Sequence, residues 1–214
     1  MTGKIKGIII TTVCILLCLL PLVAGMLLYG RLPEQLPIHY NAEGIADHYV
    51  GKIEAILLLP SVCTILTIAL SFMFRTYPDR NLKVFISTLI IGPLIACGLS
   101  GLMYYNALGY ELNAMKVTMV IMGILFIAVG NYIPTVRPNG LIGARFPWIM
   151  DDDNAWEKTQ RFTGKLMLLL GLTYLLEAFA YIGGENGAVI WLMASVLGML
   201  VVTGIYSYMV AQNG

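Results

Sequence analysis

Six long apolar runs, each separated from the next by a polar segment, constrain this chain more than any other feature of its sequence. They cover roughly residues 6–29, 53–74, 84–107, 115–135, 166–183 and 188–210. At about 1.5 Å per helical residue, each run is long enough to cross a hydrocarbon core of about 30 Å. None alternates apolar and polar residues as a membrane strand does, so the runs predict transmembrane helices.

The composition excludes a soluble globular domain. Hydrophobic residues make up 58% of the 214 residues, charged residues 12%, and the mean hydropathy is +0.81. A soluble domain of this length cannot bury so much apolar surface. We therefore predict an all-α fold, a polytopic bundle of six transmembrane helices. The first run is expected to be a retained span, because its apolar stretch exceeds the roughly 7–15 residues of a signal-peptide core.

The basic residues predict how the helices are oriented. With the N-terminus inside, ten of the thirteen Lys and Arg residues fall in inner segments, and only Arg31, Lys52 and Lys116 fall in outer ones. Because basic residues concentrate on the cytoplasmic side, this distribution predicts an N-in/C-in topology. The chain then divides into two three-helix halves. Residues 1–110 carry an outer loop at 30–52, and residues 111–214 carry an inner loop at 136–165.

The outer loop (residues 30–52) concentrates Pro, Asn, Gly, His and carboxylates between two apolar runs. Pro33 and Pro37 bias the chain away from helical structure as it leaves the first span. Asn41 and Gly44 suit a turn, because both residue types tolerate positive φ. A chain this apolar has few polar residues, so we expect such a cluster to carry function.

Three interpretations of the outer loop are open. His39, Asp47 and His48 could form a zinc site, since imidazole and carboxylate suit zinc, although no helix fixes the spacing of the two histidines. Alternatively, His39 has a structural hydrogen bond and His48 is simply exposed. The third interpretation is recognition of an extracellular ligand, with Tyr40 and Asn41 beside His39 as contact residues. From these residues we assign no metal and no cofactor.

The inner loop (residues 136–165) combines turn residues at 138–140 with a helix start, for which Asp153 or Asn154 is the expected cap. Its aromatic and basic side chains suit an elbow that lies along the lipid headgroups. The alternative is a docking surface for a cytoplasmic partner. The docking candidates are Asn139, Arg145, Trp148, Trp156 and Arg161.

Polar residues inside the apolar runs are few. Asn131, near the inner end of the fourth run, is expected to bond between helices. Glu177 lies in the fifth run, where a carboxylate is costly and implies either a structural hydrogen bond or the binding of a proton or ligand. Pro93 predicts a kink in the third helix.

Two motifs, one in the outer loop and one that begins at Asn131 and continues through the inner loop, carry a resemblance to a known family. The outer loop is similar to Leu-Pro-x-x-Ile-Pro-x-His-Trp-Asn-x-x-Gly-x-x-Asp, the short module of unknown function in SdpI-type proteins. It is matched by Leu32, Pro33, Pro37, His39, Asn41, Gly44 and Asp47. The inner motif is matched by Asn131, Tyr132, Pro134, Pro138, Asn139, Gly143, Arg145, Pro147, Trp148, Trp156, Thr159, Arg161 and Gly164. The departures are Leu36 for Ile, Tyr40 for Trp, and Phe146 for Thr in the stretch 144–146.

The resemblance implies an integral-membrane immunity protein of the bacterial cytoplasmic membrane, which protects its host from a secreted peptide toxin. The outer loop would recognise the toxin, through His39, Tyr40, Asn41, Gly44 and Asp47. The inner loop would hold an ArsR-type repressor at the membrane, as SdpI-type signalling implies. Neither an enzymatic activity nor direct binding of nucleic acid is expected.

Two other functions are open on the residues alone. A small transporter or ion-binding protein would use Glu177 and the kink at Pro93, although no internal repeat with paired broken helices is evident. A membrane enzyme would use His39 with Asp47, although no nucleophile stands at a meaningful spacing from a base.

Overall fold

The computed structural model describes residues 3–41, 44–75, 82–138, 142–182 and 184–213. Six segments within these ranges are long and apolar enough to cross a membrane. They are Ile5–Leu27, Lys52–Phe74, Val84–Ala107, Ala114–Thr135, Asp153–Ala180 and Asn186–Gln212. Their number and positions confirm the prediction of a polytopic, all-α membrane protein.

The described helices are α1 (Gly3–Leu27), α2 (Lys52–Arg75), α3 (Leu82–Leu89), α4 (Ile91–Ala107), α5 (Ala114–Tyr132), α6 (Asp153–Ala180) and α7 (Gly184–Gln212). A hairpin of β1 (Gln35–Tyr40) and β2 (Ala46–Gly51) lies between α1 and α2, and short 3₁₀ turns occur at Ile133–Thr135 and Pro147–Ile149. The chain forms two compact units, Met1–Ile121 and Met122–Gly214.

The outer loop, for which the sequence predicted only a turn, folds into this antiparallel hairpin. Leu36 pairs with Val50 across the strands, and His39 pairs with His48. Leu36 is fully buried. It packs in one apolar cluster with Leu32, Ala55, Ile56, Met103 and Tyr104. This cluster fixes the hairpin on α2 and α4.

The third span is divided into α3 and α4 at Ile90, three residues before Pro93. A proline has no N–H to donate to the carbonyl four residues earlier, and its ring crowds that carbonyl. The break therefore lies within the preceding turn, where the sequence predicted a kink.

Asp152 begins α6. It has an extended backbone, with φ −123° and ψ 100°, and its carboxylate accepts hydrogen bonds from the backbone N–H groups of Asn154 and Ala155. This is the geometry of an N-cap. The helix start near residue 153 is as predicted, but the cap assigned to Asp153 or Asn154 is wrong by one or two residues.

In the second unit, glycines bring α5 and α6 into close contact. A Cβ atom on Gly130 would lie 2.9 Å from the carbonyl oxygen of Gly164, and one on Gly164 would lie 2.7 Å from that of Gly130. Gly123 and Gly171 form a second such pair, with distances of 3.0 and 2.9 Å. Small residues let membrane helices approach until their backbones touch, which increases van der Waals contact.

We expect Gly164→Ala to destabilise the protein by about 1–3 kcal/mol, because its methyl group would overlap the backbone of Gly130 and the ring of Pro134. Gly198→Ala in α7 is the matched control, since none of the described atoms lies within 4 Å of the added Cβ. That substitution should leave the free energy of unfolding unchanged or raise it by up to about 1 kcal/mol, because alanine has a higher helix propensity than glycine. Thermal unfolding in detergent measures both variants. Equal midpoints for the two would contradict the close packing of α5 and α6.

Candidate functional site

Asn41 organises the turn of the hairpin. Its side-chain Oδ1 accepts the N–H of Ile45 over 2.9 Å, and its backbone N–H donates to the carbonyl of the same residue over 2.9 Å. The N–H of Gly44 donates to the Asn41 carbonyl, and Gly44 has a φ of 70°, which glycine adopts without strain. The turn predicted at these two residues is confirmed, and the Asn41 side chain has a structural role in it.

His39 and Asp47 lie together on the outer surface of the hairpin. The Nδ1 of His39 is 2.6 Å from Oδ1 of Asp47, and the two side chains are 66% and 42% exposed. A hydrogen bond to a carboxylate fixes the orientation of the ring and leaves Nε2 as the atom for binding a ligand. An exposed pair of this kind contributes little to stability. Its arrangement suits recognition more than folding.

Lys52 fixes the base of the hairpin, a role that the sequence did not indicate. Its Nζ lies 2.8 Å from Oε1 of Glu34 and 4.3 Å from the centre of the Tyr29 ring. Its backbone N–H donates to the Glu34 carbonyl over 2.9 Å. Because only 11% of the Lys52 side chain is exposed, the cation–π contact is partly desolvated and correspondingly stronger.

Tyr40 is half-buried, and its hydroxyl lies 3.5 Å from the amide nitrogen of Asn106. The Asn106 side chain also donates to the carbonyl of Leu112 and accepts the N–H of that residue, over 3.0 and 2.8 Å. Asn106 therefore joins the hairpin to the connection between α4 and α5.

A cavity of about 410 Å³ lies between β1 and the helices α2, α4 and α5, within the first unit. The hairpin contributes residues 37–41 and Gly44 to its wall. The helices contribute mainly apolar side chains, among them Leu59 and Met103. Its volume is in the range of pockets that bind small ligands, about 300–1,000 Å³.

Trp156 and Gln160 of α6 hold the inner loop of the second unit. The indole N–H of Trp156 donates to the carbonyl of Val136 over 2.7 Å. The Gln160 amide pairs twice with the backbone of Ala144, accepting its N–H over 2.9 Å and donating to its carbonyl over 2.8 Å. Both side chains are at most 1% exposed. Nothing in the sequence pattern identified Gln160.

The burial of Trp156 removes it from the docking candidates, because its ring offers no surface to a partner. Arg145, Trp148 and Arg161 are exposed. Trp148 is fixed on α7, where its indole N–H donates to the hydroxyl of Ser207 over 2.9 Å. Asn139, also predicted to contact a partner, lies outside the described residues.

The two polar residues predicted within the spans lie at or near helix ends. Asn131 is exposed in the last turn of α5. Glu177 is half-buried near the end of α6, and its carbonyl accepts the N–H of Tyr181 over 2.8 Å.

The zinc interpretation receives no geometric support. Among the described residues, no group of three or more His, Cys, Asp or Glu side chains is placed to hold a metal ion. His39 and Asp47 are close, but they are two groups on an open surface, and His48 is exposed on the opposite strand.

Comparisons with known proteins match the two motif regions separately. A family model described as a domain of unknown function (DUF1648) matches residues 16–64, and one described as the SdpI/YfhL protein family matches residues 135–207. The Immunity protein SdpI of Bacillus subtilis (strain 168) is 28% identical over 205 residues, which cover 94% of this chain and 97% of that protein. No solved structure matches the chain.

Gln160→Leu is expected to loosen the inner loop, because it leaves the N–H and carbonyl of Ala144 unpaired at a cost of about 1–3 kcal/mol for each group. Limited digestion with trypsin should then cleave after Arg145 several-fold faster. Lys158→Leu, an exposed position on the same helix, is the control and should leave that rate unchanged. Equal rates in the two variants would show that Gln160 does not hold the loop.

Proposed function

We propose that this chain is an integral-membrane immunity protein of the SdpI family, which gives resistance to a secreted antibacterial peptide. The observation that carries the proposal is similarity to an immunity protein along 94% of the chain and 97% of the relative. The similarity therefore extends over the membrane spans and both loops, and is not limited to one motif. Residence in the bacterial cytoplasmic membrane is part of the proposal.

The hairpin is the recognition element that we propose for the peptide. Its backbone is fixed by the Asn41 turn at one end and by Leu36 and Lys52 at the other. A preformed surface binds with less loss of conformational entropy than a flexible loop. On this fixed backbone, His39 and Asp47 present an imidazole and a carboxylate to solvent, which can bind the amide groups of a peptide.

We propose binding, not catalysis, as the activity of this surface. The enzyme alternative required His39 and Asp47 to come together, and they do. However, both groups are exposed to water, whereas catalytic electrostatics are strongest in a site from which water is excluded. An exposed imidazole that is oriented by a carboxylate serves equally as a hydrogen-bonding group for a ligand.

The inner loop supports a second, signalling half of the proposal, in which it holds an ArsR-type repressor at the membrane. Trp148 is 44% exposed although its indole N–H is hydrogen-bonded, so it presents a rigid aromatic surface. Arg145 and Arg161 are exposed in the same unit. Tryptophan and arginine dominate the binding energy of many protein interfaces.

Expression of the chain in a strain sensitive to the peptide toxin of an SdpI-type system should restore growth in its presence. We expect His39→Ala and Asn41→Ala to reduce protection at least tenfold in the inhibitory concentration, by removing a contact group and by releasing the turn. Glu177→Gln is the control for the transporter alternative and should protect like the wild type, at equal abundance in the membrane.

Unchanged sensitivity of cells expressing the wild-type chain would refute immunity toward that peptide. Protection that is lost with Glu177→Gln but kept with both hairpin variants would instead favour the transporter alternative.

The signalling half is tested with a reporter gene under the repressor of the SdpI-type system. Exposure to the peptide should induce the reporter in cells with the wild-type chain. Arg145→Glu combined with Trp148→Ala should abolish induction, because it reverses a charge and removes the exposed ring, while survival remains unchanged. Full induction in this variant would exclude the inner loop as the docking surface.

A further inference from the structure

We propose that the cavity between β1 and α2, α4 and α5 is a subsite for an apolar segment of the peptide, and that it accepts up to two bulky side chains. The inference rests on the proposed function, since it assigns the floor of the same recognition site. The exposed face of the hairpin would bind the polar part of the peptide, and the cavity would bind its apolar part.

The size of the cavity sets the size of its occupant. An engineered apolar cavity of about 150 Å³ binds one benzene molecule. The cavity beside β1 measures about 410 Å³ and so has room for two aromatic rings or for branched aliphatic side chains of similar bulk. One small side chain would leave most of its wall without contacts, and such voids forfeit dispersion energy.

The wall chemistry defines which groups fit. Most of the lining from α2 and α4 is leucine, valine, alanine and methionine, which favours apolar groups. Ser100 is the exception: it lines the cavity and is 1% exposed, and its hydroxyl has no hydrogen-bond partner among the residues that the structure describes. Buried hydroxyls are nearly always paired, so this one is suited to a polar atom on the occupant.

A polypeptide fits this wall better than a lipid tail does. Five consecutive residues of the hairpin, 37–41, form one side of the cavity, so an occupant contacts both a strand with its turn and the apolar helices. A peptide can hydrogen-bond to the hairpin and to Ser100 while it buries apolar side chains. A hydrocarbon chain has no group for either polar contact.

Two substitutions in α2 separate the cavity from the rest of the helix. Leu59→Phe adds bulk to a lining residue, whereas Leu57→Phe makes the same change two residues away, at an exposed position that does not line the cavity. Binding is measured by calorimetric titration of the purified peptide toxin of an SdpI-type system into the full chain in lipid nanodiscs.

We expect Leu59→Phe to weaken binding at least about tenfold, the scale set by small changes of volume in apolar pockets. Leu57→Phe should remain within twofold of the wild type. Ser100→Ala removes the hydroxyl with little change of volume and should weaken binding several-fold. This second variant keeps the test decisive if Leu59→Phe unfolds at a lower temperature than Leu57→Phe.

Wild-type affinity in both Leu59→Phe and Ser100→Ala, with binding lost in His39→Ala, would overturn the cavity subsite and leave the proposed function standing. No binding of the peptide to the wild-type chain would refute the proposed function and the subsite together. Native mass spectrometry supplies the remaining outcome. A retained lipid that Leu59→Phe removes, with unchanged affinity for the peptide, would assign the cavity to lipid and overturn the inference.

Discussion

A backbone in hydrocarbon must satisfy its own hydrogen bonds, and the rest of this structure depends on that constraint. Among the described residues, six segments meet it as helices. Non-helical backbone at the hairpin and in the inner loop is instead paired across strands or with particular side chains. Asn41 closes the turn, and Gln160 pairs with the backbone of Ala144. These few polar side chains therefore hold the backbone of the hairpin turn and of the inner loop in a fixed shape outside the helices.

The spans were predictable because length and hydropathy alone decide whether a segment can cross a membrane. The turn at Asn41 and Gly44 was predictable because it depends on local backbone preferences. The strands on either side of it were not. Leu36 is placed by its packing against α2 and α4, which no short pattern in the sequence encodes. The sequence named His39 with Asp47 only as one alternative, because their proximity depends on the same strand register.

The sequence predicted Trp156 at the lipid headgroups or in a docking surface, but its side chain is buried. An indole suits a membrane interface and a protein interior equally well, since its one donor needs a partner in either place. The carbonyl of Val136 is that partner, and it lies 20 residues away in the chain.

The cavity beside β1 could not be predicted either, because residues from three helices and the hairpin line it. By contrast, Asp152 differs from the predicted cap, Asp153 or Asn154, by only one or two positions, the usual uncertainty at a helix end.

The double hydrogen bond between Gln160 and Ala144 has an evolutionary consequence. Gln160 bonds to the backbone of residue 144 and not to its side chain. A substitution at position 144 that keeps the backbone N–H therefore removes neither of these two bonds. Position 160 is restricted to glutamine, because a shorter or charged side chain cannot both accept the N–H and donate to the carbonyl of Ala144. For these two bonds, selection for a stable loop thus acts on residue 160 and leaves the side chain at position 144 free to change, proline excepted because it has no N–H to donate.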